Sequence, residues 1–448
     1  MQFRSAPTLA LCLITWIPCL TPTTLFADSH ASGSDLPVKV PDYVTYLPTA
    51  VPDRIVLCWA DDPATSAAVN WRTDTTVAAS IAEIAPARDG PGFAGDALRV
   101  STATQRLNTD LGSALYHSAR FEDLTPETTY AYRVGDGTNW SEWVQFQTAS
   151  TEPKPFSFIY VGDAQNDIKS FWSRVVRGAY RDAPMAAFIL HAGDLVNTAN
   201  SDAEWGQWFY AGGFIHRSTR CIAAPGNHEY ADGLSRHWRP TFTFPENGPP
   251  GLEESVYYID FQGARIISLN SMEGLQEQVG WLEDVLSKND QRWTILTFHY
   301  PIYSAAEGRD NPELRALWQP VFDRFRVDLV LQGHDHAYAR TELMASENLA
   351  SGVTQRSEKA GTVYVVSVSG PKMYTVAKRP FIRRSIQNKQ LYQVINVAND
   401  ELHYEARAAT GKLYDAFILR KRDGQVNELV EQLPLNATPI APIAAPEE

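Results

Sequence analysis

The 448-residue chain is short of cysteine, short of net positive charge, and without a long unbroken apolar run. Four cysteines are too few for a disulfide scaffold. With 39 Lys and Arg against 52 Asp and Glu, the formal charge is −13, which argues against an electrostatic nucleic-acid binder. The longest apolar stretch, Leu9 to Leu20, is broken by Pro18 and is too short to span a bilayer comfortably. At first sight the same charge balance makes an anionic ligand unwelcome. What is present is an ordinary apolar content of 44%, which excludes whole-chain disorder, and a length suited to two or three domains.

Arg4, the apolar core and the small-residue exit around Ala27 and Ala31 read as a signal peptide over 1–31, so the product is expected outside the cytoplasm, secreted or periplasmic, with no stable membrane insertion. Its removal leaves Cys58 and Cys221, which favour two buried free thiols over a bridge. Residues 32–47 are polar and Pro-punctuated, a tether. From 48 to 150 short β runs alternate with turn signals, among them 54–59, 67–71 and 130–134. Tyr130 stands where the corner tyrosine of a seven-stranded sandwich would tie back to backbone. This all-β stretch resembles a fibronectin type III-like domain. After a stiff Glu152–Pro155 linker, residues 151–425 alternate apolar strands with helical spacing, and 426–448 read as a disordered tail. Asn139 and Asn436 head glycosylation sequons.

Nearly every strand of the second region ends in a side chain able to hold a metal: Gly162-Asp163-Ala164-Gln165, Gly193-Asp194, Gly226-Asn227-His228-Glu229, Phe298-His299-Tyr300 and Gly333-His334-Asp335-His336. In open α/β sheets ligands gather at the carboxyl ends of strands. Hard oxygens (Asp163, Asp194, Asn227) mixed with imidazoles (His299, His334, His336) suit Fe, Mn or Zn better than calcium. If 334–336 is extended, both rings point to one side with Cα atoms roughly 6.5–7 Å apart, a spacing that fits two neighbouring ions. Each block alone is ordinary: a Gly-Asp pair is usually a turn, and a lone histidine is usually a satisfied core residue. Five in order are not.

The order GD…GD…GNHE…H…GHDH resembles the calcineurin-like metallophosphoesterases, and with the β domain in front, the purple acid phosphatase branch. The resemblance implies a four-layer αββα sandwich, of α/β to α+β class, around two divalent or trivalent ions (Fe, Mn or Zn). It implies that Asp194 bridges both, that Asp163 and His336 complete one site, and that Asn227, His299 and His334 complete the other. His228 would face the leaving oxygen as the catalytic residue. Two positions depart from the purple enzymes. Asn197 stands where they place a tyrosine, as a candidate either to ligate a metal or to orient a ligand, so their colour is expected to be absent. Gln165 stands where they have glycine and other members have histidine. On an extended segment it shares a face with Asp163, either ligating directly or orienting a bound water.

The implied activity is hydrolysis of small phosphate monoesters by a hydroxide activated between two metals. Phosphodiesterase or nucleotidase action on the same site is the alternative, and a non-catalytic fibronectin-like adhesion protein is the reading from another class. Tyr300 and Tyr303 are candidates for substrate contact, with packing beside Pro301 as the plainer role. Trp205, Trp208, Tyr210 and the 229–251 loop are candidates for the pocket rim, although Trp and Tyr at helical spacing are more often core. Arg309 and Arg340 have no assignment. His117, His191, His216, His237 and His403 carry no motif and are read as structural.

Overall fold

A computed structural model describes residues 39–345 and 361–432. The leader, the first part of the tether, the Asn436 sequon and the last residues of the tail lie outside them. A helical turn, α1 (Asp42–Thr45), opens the described chain. Then come β1 (Asp53–Cys58), β2 (Ala67–Thr73), β3 (Ile81–Pro86), β4 (Leu98–Val100), β5 (Thr102–Thr109), β6 (Gly112–Phe121), β7 (Thr129–Gly135) and β8 (Val144–Gln147). They pair as two four-stranded antiparallel sheets, β1-β2-β6-β5 and β4-β3-β7-β8, so the sandwich has eight strands where seven were expected. Alternate residues face inward, as the strand period requires: Leu57, Val69, Trp71, Ile84, Phe121, Tyr132 and Phe146 form one shared core. The Tyr130 hydroxyl accepts the Thr125 N–H at 2.9 Å, the expected corner.

β2 is buried along its whole length, on both faces. Its second face is covered by the following region, because Val56, Cys58, Trp59 and Ala68 belong to a core that continues into residues 156–419. Asp202 sits in this interface, taking a bidentate bond from Arg54 (2.7 and 2.9 Å) and another from Arg72 (3.2 Å). The tether expected over 32–47 is therefore docked at its end: the Tyr46 carbonyl accepts from Arg72 at 3.0 Å, and a Cβ on Gly206 would collide with the Tyr46 ring. The 152–155 connection is also held, Lys154 pairing with Glu127 and its carbonyl accepting from Gln262. Cys58 and Cys221 are buried and free.

The second region contributes β9 (Phe156–Val161), β10 (Phe188–His191), β11 (Arg220–Ala223), a hairpin of β12 (Tyr230–Ala231) and β13 (Gly233–Leu234), β14 (Tyr257–Phe261), β15 (Ala264–Ser268) and β16 (Trp293–Phe298). These are followed by β17 (Leu329–Gln332), β18 (Tyr338–Thr341), β19 (Val363–Val366), β20 (Ile382–Ile386), β21 (Leu391–Val397), β22 (Glu401–Ala408), β23 (Leu413–Arg420) and β24 (Glu428–Glu431). Two seven-stranded sheets result: β11-β10-β9-β21-β22-β23-β24 and β14-β15-β16-β17-β19-β18-β20. β24 corrects the tail reading at 428–431, where the chain pairs antiparallel with β23 and Glu431 meets Arg340.

The helices are α2 (Ser173–Asp182), α3 (Asp202–Gly212), α4 (Phe214–Ser218), α5 (Trp238–Thr241), α6 (Glu277–Ser287) and α7 (Pro312–Arg324). Strand periodicity shows the layers. Ile295, Leu329, Leu331, Val363 and Val365 point into the core between the sheets. Leu296, Phe298, Val330 and Tyr364 point the other way, onto Leu282, Leu286, Trp318 and Phe322 of α6 and α7. α2 and α3 pack behind the first sheet. The architecture is the expected four-layer αββα sandwich. Each sheet holds a run of adjacent, buried parallel strands, β11-β10-β9 in the first and β15-β16-β17-β19 in the second, and their carboxyl ends open toward the same edge of the core.

Candidate metal centre

The first sheet delivers Asp163 after β9, Asp194 after β10 and Asn227 with His228 after β11, the last pair in a 3-10 turn. The second delivers His299 after β16, and His334 and His336 after β17. None of these turns is extended. Asp163 (φ 53°), Asp194 (φ 53°), His334 (φ 75°) and His336 (φ 41°) are left-handed, a costly backbone state for non-glycine residues that tends to mark functional sites. This corrects the extended 334–336 and 163–165 segments assumed from sequence: β17 ends at Gln332 and β9 at Val161, and the ligand residues sit in the turns beyond. The glycines permit the crowding. A Cβ on Gly193 would lie 2.5 Å from His299 Nδ1, and one on Gly333 would lie 2.6 Å from Asp163 Oδ2.

Two groups of ligand atoms result, each with its atoms within 4.8 Å of one another: Asp163, Asp194 and His336, and Asp194, His299 and His334. Asp194 belongs to both. Asn227 joins the second group, its Oδ1 lying 3.1 Å from His299 Nε2. The ring nitrogens are pre-assigned by backbone. His299 Nδ1 is 2.8 Å from the Ala192 carbonyl and His336 Nδ1 is 3.1 Å from that of Lys372, so each donates there and presents Nε2.

The electrostatics suit cations. Burial, with help from the His299 and Arg309 charges, takes His334 down to about 2. Burial and the Lys372 charge take His336 down to about 3. Both are neutral imidazoles with lone pairs to give. Burial also opposes a charge on His299, yet Asp194 and Asp163 outweigh it and hold that ring up at about 9. A proton is drawn to the place between two buried carboxylates, which is where a metal would supply the missing positive charge. The residues therefore fit a pair of metal ions: two carboxylates, one amide oxygen and three imidazoles converge without a buried lysine or arginine among them.

Other residues position these. The Glu229 carboxylate is fully buried and accepts the N–H groups of Asp194, Leu195, Val196 and Gly226, tying the second and third turns together. Asp335 points away from the site, accepting from the Ser304 hydroxyl (2.8 Å) and the Ala305 (2.6 Å) and Ala306 (3.0 Å) N–H groups. Neither residue has a role assigned from sequence. Gln165 reaches the site despite the left-handed turn: its amide nitrogen is 3.0 Å from Asp194 Oδ2 and 2.8 Å from His336 Nε2, and its Oε1 is buried without a partner. The two ends of an amide are nearly isosteric, so a half-turn of that group would place the oxygen among the donors.

Asn197 lies beside the site. Its Oδ1 accepts from Asn166 (2.8 Å) and its carbonyl is 2.6 Å from His228 Nδ1. His228 is half-buried, with its N–H bonded to Asp194 Oδ1 and its Nε2 left for a ligand. The Tyr300 ring lies tilted against that of His334, 4.2 Å between centroids, at the site's edge. Tyr303 is a correction: it is buried in the α6–α7 core, packed with Trp318 and Phe322, and its hydroxyl accepts from Gln319 of α7. Trp205 and Trp208 are likewise core, whereas Tyr210 is exposed.

Comparison with known proteins agrees with this geometry. Residues 52–148 match the purple acid phosphatase N-terminal domain, and residues 156–338 match the calcineurin-like phosphoesterase domain. Over 287 residues the chain is 27% identical to purple acid phosphatase 1 of Ipomoea batatas, covering 58% of this chain and 59% of that one. It is 26% identical to the Fe(3+)-Zn(2+) purple acid phosphatase 12 of Arabidopsis thaliana, covering 58% and 60%. The chain thus spans about six-tenths of the length of these relatives. A purple acid phosphatase from yellow lupin (Lupinus luteus) seeds shares the fold with a TM-score of 0.69 at 19% identity, covering 84% of this chain and 76% of that one. By its two matched domains and the fold they build, the chain belongs to the purple acid phosphatase-like branch of the calcineurin-like phosphoesterases.

Proposed function

We propose that the chain is a metal-dependent phosphatase that hydrolyses small phosphate monoesters. The observation that carries this is Asp194, a buried carboxylate common to both groups of ligand atoms. Asp163 and His336 would hold one ion, Asn227, His299 and His334 the other, and Fe, Mn and Zn all suit the set. The name of the Arabidopsis relative, an Fe(3+)-Zn(2+) enzyme, supports a mixed pair. When bound, such a pair lowers the pKa of water and neutralises charge developing on a transferring phosphoryl group. Gln165, with its oxygen turned inward, would complete the Asp163 site or orient a water there.

His228 supplies the remaining chemistry. Its Nδ1–H is committed to the Asn197 carbonyl, which fixes the tautomer and leaves Nε2 beside the donors. As the water oxygen bonds to phosphorus and the ester P–O bond breaks, the water would release a proton to solvent, and His228, with a proton taken up from solvent on Nε2, would hand it to the departing alkoxide. Tyr300 closes the opposite edge. The leader read over 1–31 supports export, so we place this activity in a secreted or periplasmic protein; sequencing the N-terminus of exported protein tests that.

The decisive experiment is elemental analysis of the purified protein beside an aryl-phosphate assay. About two ions per chain and turnover that disappears with metal stripping or Asp194→Ala support the reading. Undiminished turnover in either case overturns it, and faster cleavage of bis-aryl phosphate than of the monoester would make the enzyme a phosphodiesterase.

A further inference from the structure

Two loops meet on the imidazole side of the site, and both carry a cation. Residues 304–309 hang on the histidine turn through Asp335, whose Oδ2 takes three of their donors. Residues 370–374 are fastened to the donors directly. The Gly370 N–H donates to the Asp163 carbonyl (2.9 Å), the Tyr374 N–H to the His336 carbonyl (3.0 Å), and the Lys372 carbonyl takes His336 Nδ1. The loops are also stitched to each other, through Glu307 N–H to Thr375 O (3.1 Å), Ala377 N–H to Ala305 O (2.8 Å) and Arg379 Nη2 to Arg309 O (3.0 Å).

At the seam stands Tyr374, its ring 4.7 Å from that of His336. The Arg309 guanidinium lies over the Tyr374 ring at 4.8 Å and Lys372 Nζ at 5.4 Å. Arg309 reaches the site itself, bonding the His334 carbonyl at 3.3 Å, and its side chain is 34% exposed. Its charge is poorly matched. The nearest carboxylate, Asp335 Oδ1, is 3.8 Å away, beyond hydrogen-bond distance. Among the described residues no carboxylate pairs with Lys372. Two cations are thus held against one ring, beside the metal ligands, with donors to spare.

Resting on the phosphatase reading, we propose that Arg309 and Lys372 form a cationic subsite for a second anionic group of the substrate, a carboxylate or a further phosphate, while the ester itself lies at the donors. His228 and Asn197 lie on the first-sheet side of the same donors, so the ester is grasped from one flank and its anionic substituent from the other. The rigid stitching makes the subsite preorganised, so its effect falls mainly on KM.

The test uses metal-loaded protein and three esters on one scaffold: phenyl phosphate, 3-carboxyphenyl phosphate and 3-phosphonophenyl phosphate. The wild type is expected to prefer one or both anionic esters by about tenfold in kcat/KM, the worth of one hydrogen bond to a charged group. Arg309→Gln is expected to erase most of that preference through KM, Lys372→Gln less, and Arg309→Lys to restore part of it. The analogue preferred tells carboxylate from phosphate. No preference in the wild type, or the same preference in all variants, overturns the subsite. If none of the three esters is hydrolysed, the phosphatase reading fails instead. The subsite is then judged by calorimetry with inorganic pyrophosphate against phosphate. Selective loss of pyrophosphate affinity in Arg309→Gln supports it, and equal or no loss overturns it.

Discussion

The two seven-stranded sheets use the same device, a parallel strand ending in a tight turn, but supply opposite chemistry. The first sheet gives Asp163, Asp194 and Asn227, all oxygen donors; the second gives His299, His334 and His336, all nitrogen donors. Histidines on the first sheet's side mostly do something else. His191 and His216 pack against Trp172 and Trp208, and His237 stacks on Trp205. One residue type lines the candidate metal centre on one side and the core on the other, and the turn that carries it decides which. Carboxylates facing imidazoles put the negative charge of the site on one wall, with Asp194 common to both groups of candidate ligand atoms and the imidazoles divided between them.

Breaking either wall should cost most. Asp163→Ala and His334→Ala remove one donor from each sheet. Each is expected to lower bound metal from about two ions to about one and kcat/KM by on the order of 10³-fold, the effect of losing a preorganised charge-stabilising group. If either variant keeps both ions, the division of donors between the sheets is wrong. His228 is the exception on the oxygen wall, the imidazole there that is not a donor. His228→Ala should lose about 10²-fold in kcat while metal content stays whole; a fall in metal content instead would make it a ligand.

A smaller loss is expected from Glu229→Gln, which weakens the clamp on two oxygen-bearing turns. About 10- to 100-fold in metal affinity is the usual size for a group that orients ligands, read by metal titration with the fold checked by circular dichroism. The core histidines sharpen the contrast by stability. Burial lowers both His216 and His237 to about 4, so the fold keeps them neutral while the unfolded chain binds protons below about 6.5. Their contribution is therefore complete above pH 6.5 and is lost as pH falls toward 4, by up to a few kcal/mol together. Denaturant midpoints across that window measure it, and His216→Phe should flatten the slope. The smallest signal is spectroscopic: with Asn197 at the tyrosine position, the iron-loaded protein should lack a strong visible charge-transfer band.

The proposed ligand residues were legible in the sequence because each announces itself locally, by an apolar strand, a glycine or a strand end, then a polar side chain. Lys372 and Tyr374 follow the same rule after β19, through Ser369-Gly370, and that repetition is the signal that would have found them. Arg309 lies in a loop without periodicity and has no such signal. Tyr303 was misplaced because a tyrosine four residues past a ligand histidine says nothing about direction until α7 packs beneath it. Arg340, without assignment from sequence, is a buried cation paired with Asp415 at 2.7 Å and with Glu431 of β24. β24 itself was hidden, since four half-buried residues carry too little apolar pattern to separate strand from tail.

Composition set the expectation of an acidic chain, and local pattern set the strands, the order of the five motif blocks and the identity of the candidate metal-binding side chains. Those depend on neighbours a few residues apart, and the sequence carries them in full. The grouping of five candidate donors around one shared carboxylate was decided only by the fold. His334 and Asp163 are 171 residues apart, and the backbone N–H of one meets the carboxylate of the other at 2.8 Å only because two sheets stack with their parallel strands ending at one edge. The left-handed turns, the inward Gln165 amide and the two cations on Tyr374 belong to that same level, since each is held by contacts between distant segments rather than by its own residues' preferences.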